Sequence, residues 1–138
     1  MIKRFWHLAG LILALCCLGC VNNLRSIGVV KYPMPACTSF EEAVRQATRK
    51  DQWRIIDIQP GKISCLLMIR QHSLIVNIFY DDKFFYIDYE NSTNLNYRPS
   101  EDLIHKHYAK WTQKLAKDIQ TFASKQNSEP ANKEIQSN

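Results

Sequence analysis

The chain has 138 residues, enough for one domain around one modest hydrophobic core. Its 18 Lys and Arg against 13 Asp and Glu give a formal charge of +5. That excess is small and evenly spread, which argues against a nucleic-acid surface, because such a surface needs a basic stripe on one face.

The first residues read as a three-part export signal. Lys3 and Arg4 form the charged start, Phe5 to Leu18 the apolar stretch, and Leu18-Gly19-Cys20 places a small residue before a cysteine. The stretch is shorter than the ~20 apolar residues of a spanning helix, and His7 interrupts it. Leu18-Gly19-Cys20 resembles the bacterial lipobox, in which that cysteine is diacylated and becomes the mature N-terminus. Cys17 stands where the lipobox usually has Leu, and Cys16 and Cys17 themselves follow residues that suit the motif poorly. Lipidation of Cys20 would anchor the chain, since each buried CH₂ contributes about 0.8 kcal/mol. An uncleaved anchor and ordinary signal cleavage are the alternatives. Val21, not Asp, follows Cys20; in the sorting that the lipoprotein resemblance implies, this favours the periplasmic face of the outer membrane. Loss of Lys3 and Arg4 leaves 16 basic against 13 acidic residues, a charge of +3.

The expected layout is a signal over 1–19, a tether over 20–36, an α+β domain over 37–123 and a disordered polar tail over 124–138. Within the tether, Ile27–Tyr32 could add as an edge strand. Cys37 and Cys65 remain after Cys20 is acylated; an oxidising compartment permits a disulfide between them, and two buried apolar thiols are the alternative. Thr38-Ser39-Phe40-Glu41-Glu42 carries an acid three residues after each hydroxyl, a capping-box signal for a helix with Phe40, Val44 and Ala47 inward.

Four strands follow: Trp53–Ile58, ended by Pro60-Gly61, then Lys62–Arg70, Ser73–Tyr80 and Phe84–Tyr89. Pairing Arg70 with Ser73 sets Leu67 opposite Val76 and Cys65 opposite Ile78. Pairing Asp81 with Phe84 sets Tyr80 opposite Phe85, Ile78 opposite Ile87 and Val76 opposite Tyr89. The two hairpins then place one apolar set on one face. Pro99-Ser100-Glu101-Asp102 predicts the start of a long helix with Ser100 as cap. Ile104, Tyr108, Trp111, Leu115, Ile119 and Phe122 recur at helical spacing. The expected architecture is α-β-β-β-β-α, an antiparallel four-stranded meander with both helices on one face.

Two groups of residues stand out. The face away from the helices should present Leu66, Met68, Ile75, Phe79, Phe84 and Tyr86, a mixed apolar and aromatic patch of the kind that contacts a partner protein or a membrane. The Ile27–Tyr32 segment or a second copy of the chain could equally cover it. Arg70, His72, Ser92, Asn94, Tyr97 and His105 gather polar groups between the last strand and the long helix. They suit either a small pocket for a glycan or peptide or a loop that satisfies its own backbone, and the second is favoured.

Signals for catalysis and for metal are weak. His105 and His107, two apart on a helix, point to different sides and cannot share an ion. Ser92 lacks a Gly-x-Ser-x-Gly context. Asp81-Asp82 is better read as a solvated turn than as a calcium loop. No metal and no cofactor beyond the covalent lipid is expected, and no enzyme.

From Trp53 to Ile119 the chain resembles a group of small, uncharacterised lipoproteins of Gram-negative bacteria. The residues that carry the likeness are Trp53, Pro60-Gly61, Arg70 with His72, Tyr80 and Tyr89, then Ser92, Leu95 and Tyr97, and finally Ile104-His105, Tyr108 and Trp111. Ala109 departs from the group, which tends to carry Asn there. The resemblance implies a lipoprotein and no particular reaction. The expected function is therefore a membrane-anchored, non-enzymatic interaction module that meets an envelope protein or its own copy, with a glycan- or peptide-binding module as the alternative and a hydrolase third.

Overall fold

The computed structural model describes residues 23–128. The expected signal, Cys20 and the chain beyond residue 128 lie outside the described residues. The elements in order are β1 (Leu24–Ser26), β2 (Lys31–Pro33), α1 (Phe40–Lys50), β3 (Trp53–Gln59), β4 (Lys62–Ile69), β5 (His72–Tyr80), β6 (Phe84–Thr93), β7 (Leu103–His105) and α2 (His107–Ser128). Five strands form an antiparallel sheet in the order β2-β6-β5-β4-β3, and β1 pairs with β7 in a separate ribbon. The fold is α+β with the expected meander at its centre.

Helix α1 starts where its caps demand. Ser39 is extended, at φ −147°, and its Oγ accepts the Glu42 amide at 3.3 Å. The reciprocal half of the box comes from elsewhere: the Ser39 amide donates to Gln126 Oε1 at 2.9 Å. Phe40, Val44 and Ala47 are buried as expected.

Each hairpin of the meander has its own local cause. Gly61 closes the β3–β4 turn at φ +75°, a conformation open to glycine, after a Pro whose ring presets the residue before it. In the β5–β6 turn, Asp81 Oδ1 accepts the amides of Lys83 and Phe84, both at 2.7 Å. Those two backbone donors hold its carboxyl below the usual range. The register there is the expected one, Tyr80 opposite Phe85, Ile78 opposite Ile87 and Val76 opposite Tyr89. The β4–β5 register differs. Ile69 pairs with His72, so Leu67 faces Leu74 and Cys65 faces Val76. The turn is formed by Arg70 and Gln71, with Arg70 at φ +56°, and the slip is an even number of residues. An even slip leaves every side chain on its expected face.

The core is the helix-facing side of this sheet. Ile63, Cys65, Leu74, Val76, Ile78 and Phe85 are fully enclosed with Val44, Leu115 and Ile119 of the helices. Phe85 is wedged between Tyr32 and Phe40, with ring centres 5.1 and 5.2 Å away.

Several expectations are corrected. Among the described residues, Cys37 and Cys65 are both free thiols, the second of the two alternatives left open above. Cys65 is an enclosed core group whose thiol burial pushes up to about 12, and partly buried Cys37 packs against the same core without bonding to it. Pro99-Ser100-Glu101-Asp102 is a turn, not a helix start: Arg98 and Leu103 exchange backbone bonds at 2.8 and 3.2 Å, and Asp102 sits at φ +52°. Leu103–His105 then pairs with Leu24–Ser26, so Ile104 enters the core from a strand, and α2 begins only at His107. Both β1 and β2 come from the segment read as a tether. The polar residues 124–128 are helical, because Gln126 and Asn127 bond the backbone ahead of α1, at Ser39 O (3.0 Å) and Ala36 O (2.6 Å).

Replacing Ile78, enclosed at the centre of β5, with Ala should lower the unfolding free energy by about 2–5 kcal/mol in urea melts. A loss within about 0.5 kcal/mol would mean that this face is not a close-packed core.

Candidate functional site

The polar residues singled out in the sequence fall in one region, but only His72 and Asn94 bond each other; the other bonds run to Gln71, Tyr89 and His107. His72 Nδ1 lies 2.8 Å from the carbonyl of Asn94, while Asn94 Nδ2 donates to Gln71 O at 2.7 Å. Asn94 adopts φ +60°, which asparagine tolerates well. Ser92 Oγ pairs with Tyr89 OH at 3.1 Å, and Tyr97 packs on Tyr89 with ring centres 4.4 Å apart. Arg70 stands exposed at the neighbouring turn. The loop is thus stitched to the β4–β5 hairpin by its own side chains.

His105 and His107 meet, contrary to the expectation for one helix. The boundary between β7 and α2 falls between them, so their rings lie 4.5 Å apart at 67°. His105 Nδ1 accepts the His107 amide at 3.3 Å, which places the proton of a neutral ring on Nε2. Burial, then the charges of His107, Lys106 and His72, push the His105 imidazole below its ordinary range. His107 in turn packs on Trp111 at 5.4 Å. Among the described residues, no group of three or more His, Cys, Asp or Glu is arranged to hold a metal ion.

The second group lies on the side of the sheet away from the helices. Leu66 pairs with Ile75, Phe79 with Tyr86, and Phe84 lies opposite Pro33 at the β2 edge. Phe79 and Tyr86 stack with centres 5.2 Å apart. Met68 and Phe84 are 59% and 46% exposed, whereas Leu66, Ile75, Phe79 and Tyr86 shelter one another in part. The Ile27–Tyr32 segment does not cover this face; Lys31–Pro33 joins the sheet at its edge. At the opposite edge β3 is bulged between Ile55 and Asp57, which leaves Ile56 exposed and interrupts the ladder. Bulges and charges of this kind discourage edge-on pairing.

A third feature has no counterpart in the sequence reading. Where α1 ends and β3 begins, a cavity of about 280 Å³ opens between the two helices and the sheet corner. Its apolar walls are Trp53, Leu67, Ile69 and Trp111. Lys50, Asp51, Gln52 and Lys114 complete it. Lys50 Nζ donates to Asp118 Oδ1 at 2.6 Å, and Lys114 Nζ bridges Asp118 Oδ2 at 2.9 Å and Asp51 Oδ1. Asp51 Oδ2 is buried and, among the described residues, meets no hydrogen-bond partner. Two signs of this corner were present in the chain. Asp51 caps the C-terminal end of α1, where the helix dipole disfavours an acid. Asp118 falls within the apolar stripe of α2, between Leu115 and Phe122.

The two carboxyls respond oppositely. Burial alone raises Asp118, but the hydrogen bonds donated by Lys50 and Lys114 outweigh it and hold the group well below the usual range. Asp51 is raised, first by burial, with Lys114 opposing and Asp118 adding to the rise. Ala109 lines a separate, smaller cavity of about 40 Å³ under β2.

No protein-family model, curated protein or solved structure matches the chain.

The folded-state value of Asp118 lies below its unfolded one, so its contribution to stability is present above about pH 4 and is lost as pH falls. Asp51, raised on folding, contributes in the opposite sense. Asp118→Asn should flatten the acid limb of the stability curve, read from urea melts between about pH 6 and about pH 3. An acid limb as steep as that of the unaltered protein would remove Asp118 from this role.

Proposed function

We propose that the chain is a lipoprotein of the bacterial cell envelope, tethered through acylated Cys20, whose domain is a non-enzymatic interaction module. The observation that carries the second half is the open sheet face. Both helices lie on one side, and the other presents the stacked Phe79–Tyr86 pair in a cross-strand row flanked by Lys62 and Lys31. An apolar centre with charged flanks has the anatomy of a protein contact surface. The flanking lysines select a partner with an apolar patch bordered by acids, and the bulged β3 edge favours face-on contact over strand addition. The anchor rests on the sequence: Leu18-Gly19-Cys20 after a charged start and a short apolar stretch. No helix among the described residues is long and apolar enough to cross a membrane. A lipid anchor would hold the domain at the periplasmic face of the outer membrane, as Val21 suggests.

Metabolic labelling with an alkynyl palmitate should mark the chain and fail on Cys20→Ser; equal labelling of both would overturn the anchor. Cross-linking of the lipidated chain in its host should yield one dominant envelope partner that disappears with Phe79→Asp while the circular dichroism of the domain is unchanged. A partner retained by Phe79→Asp would sink the face reading, and cross-links between copies alone would make the partner the chain itself.

A further inference from the structure

We infer that the cavity at the α1–β3 corner is a binding site for a small anionic amphiphile: one carboxylate-class head on an aromatic or short aliphatic body. The volume of about 280 Å³ sits at the lower end of ligand cavities and far above the ~30 Å³ that one water occupies. Trp53 and Leu67 form its floor, and half-buried Ile69 and Trp111 stand nearer its mouth. Such walls suit a flat or linear apolar body.

The head follows from the layering of charge. The carboxylates of Asp51 and Asp118 are only 11% and 10% exposed, whereas Lys50 and Lys114 are 53% and 54% exposed. A ligand arriving from solvent therefore meets ammonium groups in front of acids. Each ammonium carries three donors. Lys114 spends two of them on Asp51 and Asp118, and Lys50 spends one on Asp118. Among the described residues, the remaining N–H groups meet no protein acceptor, and the acids behind them hold the ammonium groups in place. Charge-assisted bonds from such pre-set donors to an oxyanion are the strong kind.

The backbone supports a built site. Gln52 stands at φ +62°, a conformation more often left to glycine or asparagine after a helix. That single residue turns the chain sharply enough for Lys50 and Trp53 to line the same cavity. An acid at the helix end and a left-handed glutamine after it both run against local preference, and such breaks concentrate at functional positions.

The test uses the full lipidated chain in non-ionic detergent, with fluorotryptophan incorporated so that Trp53 and Trp111 report separately by fluorine NMR. The probes are phenylpropanoate, phenylpropanol and phenylpropylamine, which differ only in the head. Phenylpropanoate should shift both signals saturably, the alcohol should bind more weakly and the amine should not bind. Lys50→Gln should weaken phenylpropanoate about tenfold, a loss expected when one charge-assisted bond is removed. Ile69→Trp, which crowds the mouth, should abolish the shift, and Phe79→Asp on the far face of the sheet should leave it unchanged. A flat titration, equal binding of acid and amine, or an unaltered affinity in Lys50→Gln would each overturn the assignment. A response lost in Phe79→Asp would move the binding to the open face and overturn it too.

Discussion

Helix α1 is short, and it is held at both ends by α2. At its start, Gln126 and Asn127 bond the backbone of Ser39 and Ala36. At its end, Lys50 and Asp51 meet Lys114 and Asp118. The helical layer is consequently one unit, and it shields a single side of the sheet. Alternation along the strands does the rest: residues pointing to the helices are enclosed, and their neighbours face away. Both regions to which a role is assigned lie where this layer stops. The open face is the side that it never covers, and the cavity is the corner beside which α1 ends.

The ion cluster also decides how the helices meet. Placing an acid in the apolar stripe of α2 costs desolvation, and burying a pair need not add net stability. What it supplies is position. Asp118 can be satisfied only where two lysines converge, so sliding α1 along α2 by a turn would strand a buried charge. Apolar contacts such as those of Val44 and Ala47 tolerate such slips far better.

Much of the architecture was legible because the governing signals are local. The β5–β6 register follows from Asp81 bonding the next turn, α1 follows from Ser39, and both are written within a few residues. The β4–β5 slip was invisible because Arg70 and His72 are about equally plausible ends of a two-residue turn, while the preserved face hid the error. Longer-range causes left no local trace. Pro99-Ser100-Glu101-Asp102 suits a helix cap and a turn alike, and the choice is made by Leu24–Ser26 arriving from the other end of the chain. Misplacing that boundary separated His105 from His107, which the fold brings into contact. The cavity was missed for a similar reason: an acid at the end of α1 and another inside the apolar stripe of α2 are separate local oddities, and they acquire a shared meaning only when the helices cross.

The bonds from Asn127 to Ala36 and from Gln126 to Ser39 join parts of the chain 91 and 87 residues apart. A ribosome must release nearly the whole domain before these contacts can form, so the sheet waits without its cover while the chain is made. Loop closure over that span is slow to reward its entropic cost. For a chain proposed to cross a membrane before it folds, that delay keeps the polypeptide threadable, and the last turns of α2 act as the latch that ends it.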